Sequence, residues 1–200
     1  MARGTQHTLF LAANEAVLVL TTRDSTGIVM RMAVVGANRR PRVVGLDELP
    51  GKANYFVGKD PAKWHTNVPL YARVQYAEVY PGIDLAYTGD QRQMAYAFAV
   101  RPGADPRRIV LHWSGADSLA VDAEGALALY TAQGVIRQPP PVILEEHDGA
   151  GRKVAGRYVR HAGDQVGFAV AAPDASPPLV ITGTVPLLVI PTPHSMNAMR

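Results

Sequence analysis

Alternation with a period of two is the dominant signal along the chain. Ile28, Met30, Met32 and Val34 fall on one side of the stretch Ile28–Val35, and Val29, Arg31, Ala33 and Val35 fall on the other, which predicts a strand. Met94, Tyr96, Phe98 and Val100 alternate with Ala95, Ala97 and Ala99 in the cleanest strand pattern of the sequence. Thr8–Ala12 and Ala16–Thr22 flank Ala13-Asn14-Glu15 and predict a hairpin, followed by turn residues at 23–27. From Leu70 onward, Tyr71, Val74, Tyr76 and Val79 lead to the turn Tyr80-Pro81-Gly82, and Ile83–Tyr87 leads to Thr88-Gly89-Asp90. Ile109–Trp113 is a further strand. Leu119–Val121 and Leu127–Leu129 flank Asp122–Gly125, a hairpin whose glycine stands where a positive φ is needed. Gly134–Arg137, Val142–Glu146, Val154–Arg160 and Val166–Val170 extend the rhythm of short strands and turns, which recurs about every 8 to 12 residues.

That rhythm predicts an all-β fold, an antiparallel β-sandwich of many short strands with little helix. No stretch carries a sustained 3.6-residue apolar repeat, so helix is reduced to a turn at Asp60–Trp64, with Asp60 as its N-cap and Pro61 as its first residue. Arg39–Pro69 carries four prolines and little periodicity. It reads as a long structured connection with one short strand at Tyr55–Val57. Phe98, Tyr80, Tyr71 and Trp64 are expected to be buried, because aromatic rings dominate core energetics.

Composition narrows the function classes. Two hundred residues suit one domain, and the absence of cysteine excludes disulfides, thiolate metal sites and cysteine nucleophiles. A net charge of +3 spread along the chain is no nucleic-acid signature, and Arg39, Arg40 and Arg42 read as a solvated loop. No apolar run reaches the length of a membrane span, and no signal peptide is recognised in the chain as written.

Candidate chemistry is sparse. Glu78, Asp84 and Asp90 are the acids nearest aromatic residues, but acids beside Gly-Pro turns usually hydrogen-bond turn amides, and that role is expected of Asp84. His7, His65, His112, His147, His161 and His194 share no ligand spacing, so no metal site is expected. Ser114 lacks the glycine-flanked elbow of a serine nucleophile, and phosphate-binding loops are missing. No catalytic residue and no cofactor are therefore assigned. The ring-bearing stretch containing Tyr55, Phe56, Trp64, Tyr71, Tyr76, Tyr80 and Tyr87 is either core or a sugar-stacking platform. The ligand-binding candidates it leaves are Trp64, Tyr71, Tyr80, Asp84 and Tyr87.

Leu49-Pro50-Gly51-Lys52-Ala53-Asn54-Tyr55-Phe56-Val57-Gly58, Asp60–Trp64, Thr66–Pro69, Tyr71, Val79–Asp84, Tyr87, Pro102–Pro106 and Gly156-Arg157-Tyr158 together carry a resemblance. Over Ala2–Ile181 the chain resembles a bacterial domain of unknown function of the DUF7948 type, which stands N-terminal to SBBP-type β-propeller repeats in exported and cell-surface proteins. The resemblance implies an extracellular or cell-surface setting and, as partners, other domains of the same polypeptide or an extracellular glycan or protein. It supplies no catalytic residues. It also implies a single domain at 1–181 that lacks its usual N-terminal segment, with 182–200 an atypical tail; Pro186, Pro191 and Pro193 in that tail predict poor packing, with at most one strand at Val185–Ile190. Three functions follow as expectations: a non-enzymatic structural or adhesion module, a carbohydrate-binding module, and a sugar-active enzyme.

Overall fold

The computed structural model describes residues 2–3, 7–21, 27–90, 92–147, 150–171 and 177–190, so the expected turn at 23–26 and residues 191–200 of the tail lie outside the described residues. The fold is all-β and sandwich-like, as the alternation predicts, and is built of three antiparallel sheets. One seven-stranded sheet has the spatial order β1 (Ala2–Arg3), β2 (His7–Leu11), β3 (Glu15–Thr21), β4 (Gly27–Val34), β9 (Val110–Ser114), β16 (Gln165–Val170) and β15 (Gly156–Arg160). The other has the order β14 (Ala150–Val154), β13 (Val142–His147), β17 (Leu179–Pro186), β8 (Gln93–Val100), β7 (Ile83–Gly89), β6 (His65–Tyr80) and β5 (Arg42–Tyr55). A small third sheet of β10 (Ser118–Val121), β11 (Leu127–Thr131) and β12 (Gly134–Gln138) joins at the β17 side, where Val135 and Ile190 exchange backbone hydrogen bonds of 2.8 and 2.9 Å.

In the strands with the clearest alternation every second residue faces the core. Ile28, Met30, Met32 and Val34 of β4 and Met94, Tyr96, Phe98 and Val100 of β8 are all buried. Phe98 and Tyr80 are buried as expected. The two helical pieces are single 3-10 turns, Pro61–Lys63 and Pro106–Arg108. Each opens with an aspartate whose carboxylate accepts an amide hydrogen bond and a proline that has no amide to leave unpaired.

Four expectations need correction. Arg39–Pro69 is not a structured connection with one short strand at Tyr55–Val57: β5 runs from Arg42 to Tyr55, residues 56 and 57 lie beyond its end, and β6 begins at His65, before the strand expected from Leu70, with the two strands paired along most of their length. Trp64 and Tyr71, expected in the core, are 38% and 40% exposed. Val154–Arg160 is not one strand: the chain leaves one large sheet at Val154 and enters the other at Gly156. The absence of a side chain at Gly156 matters there, since a Cβ would stand 2.1 Å from Ile143 Cδ1. Finally, a domain boundary at Ile181 would cut through β17, which pairs with β8 on one side and β13 on the other. The strand begins at Leu179 rather than Val185, Val185 is fully buried, and Leu187 and Val189 pack on the core. Its inward row is Leu179, Ile181, Gly183 and Val185, and the glycine hides the period. Gly183 is required because the Tyr96 ring fills the space of its missing side chain, 2.2 Å from an ideal Cβ.

Candidate functional site

β6 pairs with β7 only as far as Arg73, opposite Thr88, whereas its pairing with β5 runs on to Tyr55 opposite His65. Beyond the end of β7, two strands of about eight residues therefore continue alone, an arm of roughly 25 Å at a strand rise near 3.3 Å per residue. No residue from Arg42 to Arg73 is buried. An isolated two-stranded ribbon is marginal in water, so local devices hold this one together. Leu49 opposes Leu70 and Ala53 opposes Val68, placing four apolar side chains on one face. Asn54 Oδ1 accepts the amide of Asn67 at 2.8 Å, Lys52 pairs with Glu48, and Arg73 pairs with Asp47 at 3.2 Å. Pro50 lies on this edge strand, where its missing N–H costs no ladder hydrogen bond, and the register shifts between Leu49 and Lys52.

The tip is ordered by its own sequence. Asp60 caps the 3-10 turn, its carboxylate accepting from the Ala62 amide at 3.1 Å, and the amides of Lys63 and Trp64 close the turn on Asp60 and Pro61 at 3.1 Å each. The Trp64 indole N–H donates to the Gly58 carbonyl at 3.2 Å, and the Trp64 ring meets Phe56 edge to face, 5.1 Å between centroids at 83°. Phe56 is 62% exposed and Val57 is 71% exposed. At the root of the arm, the Tyr71 ring lies over Gly45, where a Cβ would come within 2.4 Å of it. Beside it a cleft of about 260 Å³ opens between the ends of the two large sheets, lined by Leu9, Tyr71, Val74, Tyr87 and Met94, with His7, Thr88, Asp90 and Gln93 among its polar residues.

The five ligand-binding candidates fall in three places. Trp64 is at the tip of the arm, and Tyr71 and Tyr87 border the root cleft. Tyr87 is buried, its ring edge set against Tyr76 at 5.7 Å, and burial pushes its phenol well above its ordinary value. Tyr80 and Asp84 lie at the opposite end of the β6–β7 pair. There the Tyr80 hydroxyl donates to the Val35 carbonyl, and the Arg108 guanidinium stands 6.0 Å from the ring centre. Asp84 makes the amide hydrogen bond expected of it, accepting from the Glu78 N–H at 2.8 Å. That amide belongs to a bulge in β6 where Glu78 adopts φ 51°, an uncommon value for a residue with a side chain. Trp64 and the tyrosines thus form no single stacking row.

The three acids do not form one cluster. Arg101 lies between Glu78 and Asp84, at 2.8 and 3.2 Å, and pairs with both carboxylates. These contacts raise the guanidinium further above its ordinary range, the Glu78 hydrogen bond being the largest contribution. Asp90 is on the β7–β8 turn, where the amides of Arg92 and Gln93, at 2.7 and 2.9 Å, hold its carboxyl below the usual carboxylate range. Among the described residues no three His, Asp or Glu side chains converge as metal ligands, and no helix is long and apolar enough to cross a membrane.

These features define an all-β, sandwich-like fold with Phe56, Val57 and Trp64 exposed at the end of a two-stranded arm. Its sequence matches the family described as a domain of unknown function (DUF7948) over residues 1–182, and the chain belongs to that family. No curated protein and no solved structure matches it.

Proposed function

We propose that the protein is a non-enzymatic structural or adhesion module of a bacterial cell-surface or secreted multidomain protein, and that it engages its partner through the β5–β6 arm. The observation that carries this reading is an arm of two strands with no buried residue, ending in exposed Phe56, Val57 and Trp64. Exposed apolar surface gathered at one projecting point marks a contact site more often than scattered apolar residues do. The resemblance to domains placed ahead of SBBP-type repeats supports the extracellular setting and makes neighbouring domains of one polypeptide natural partners.

The test is adsorption of the labelled domain to bacterial envelope preparations, against a variant in which residues 47–72 are replaced by a tight turn. No core residue is removed by that change, and a thermal melt checks that the body folds. Adsorption is expected for the intact domain and not for the shortened one. Equal adsorption of both, or none by the intact domain, overturns the proposal.

A further inference from the structure

We infer that the tip of the arm is a lipid-contacting wedge that inserts Phe56, Val57 and Trp64 into the interfacial zone of an anionic bilayer. This rests on the arm being the contact element. Three features of the tip select this partner. The first is shape. Phe56 and Trp64 meet edge to face at 83°, so they form no coplanar row of rings of the kind on which a sugar chain stacks. An exposed apolar point at the end of an arm suits a deformable surface.

The second feature is polar satisfaction. The indole N–H is already spent on the Gly58 carbonyl, and the amides of Ala62, Lys63 and Trp64 are spent within the 3-10 turn. These groups can leave water without becoming unpaired, and a ring of this kind favours the headgroup level. The third is charge. Lys59 and Lys63 flank the apolar residues, and neither is in an ion pair among the described residues. The one acid between them, Asp60, is engaged as the cap of the turn. Lysines in the same turn as the exposed apolar residues add attraction to anionic headgroups.

Vesicles of phosphatidylcholine with and without phosphatidylglycerol test this directly, using the intrinsic indoles. Trp113 is buried, so a fluorescence change on lipid addition reports Trp64. The intact domain is expected to co-sediment with the anionic vesicles, shift its emission to the blue and be quenched by acyl-brominated lipid. Trp64→Phe removes the optical change. Val57→Ser and the pair Lys59→Glu with Lys63→Glu each lower the bound fraction about fivefold or more, the pair chiefly on anionic vesicles. Failure to sediment with anionic vesicles, or sedimentation that none of these changes weakens, overturns the inference. If the domain ignores vesicles yet still adsorbs to lipid-stripped envelope in an arm-dependent way, only the lipid assignment fails. If arm dependence is lost there too, the arm is not the contact element.

Discussion

The rings of Phe98 and Phe168 meet across the sandwich, 6.3 Å between centroids at 59°, one from each large sheet. Phe168 is also 5.6 Å from Tyr158, and Phe98 is 6.1 Å from Tyr96, so a chain of four rings runs from one sheet to the other. Phe98 is fully buried. Phe98→Ala is expected to cost about 3 to 5 kcal/mol, as large aromatic truncations in cores do. A urea or thermal melt indistinguishable from that of the parent would remove Phe98 from the core of the stability argument.

At the β6 bulge, two neighbouring substitutions should differ. Asp84→Ala strips the acceptor from the Glu78 amide and is expected to destabilise by about 1 to 3 kcal/mol. Arg101→Ala breaks ion pairs made by a guanidinium that is half exposed and screened by water, and is expected to cost clearly less than Asp84→Ala. Denaturant melts of the two variants decide the order, and equal losses would mean that the bulge is held by charge and not by the amide bond.

Gly183→Ala places a methyl group inside the Tyr96 ring and is expected to destabilise by about 1 to 3 kcal/mol through overpacking. Combining it with Tyr96→Leu should recover part of that loss, because the two residues share one volume. Strict additivity of the two changes in a melt would count against that contact.

Burial raises the phenols of Tyr76, Tyr80, Tyr87, Tyr96 and Tyr158, that of Tyr158 to about 12. The folded chain therefore holds these protons more tightly than the unfolded chain does. The stability they contribute is complete below the ordinary tyrosine value near 10 and is lost as pH rises through the raised values. Ultraviolet titration should show these five of the eight tyrosines ionising late, together with alkaline unfolding. Smooth titration of all eight near pH 10 with the fold intact would contradict the buried positions.

Much of the sandwich was legible because its strands bury one face, and burial on one face is what writes alternation into sequence. β4 and β8 show this residue by residue, whereas the turn at Pro61–Lys63 was legible from its aspartate cap and its proline. The arm was not legible for the same reason: with neither face buried, β5 and the part of β6 before Val74 have no inward row to select, and Pro50, Gly51 and Asn67 read as loop. Trp64 and Tyr71 were assigned to the core on residue type alone. The available hint was local, Lys59 and Lys63 lying between Val57 and Trp64, which is unusual company for a core cluster. Tyr71 and Tyr87 come together only through the pairing of β6 with β7, which sequence periodicity does not specify.

The position of β17 sets an order of events during synthesis. Its partner β8 ends at Val100, so the ribosome must add the whole stretch up to Leu179 before the strand between β8 and β13 exists. Until then the nascent chain has β7 and β8 ready to pair but an open ladder along β8, and the β13–β14 ribbon has no neighbour to join. Contacts so distant in sequence form slowly, because the loop must close before the pairing rewards it. An unpaired edge of that kind is the surface on which two nascent chains on one messenger would pair with each other.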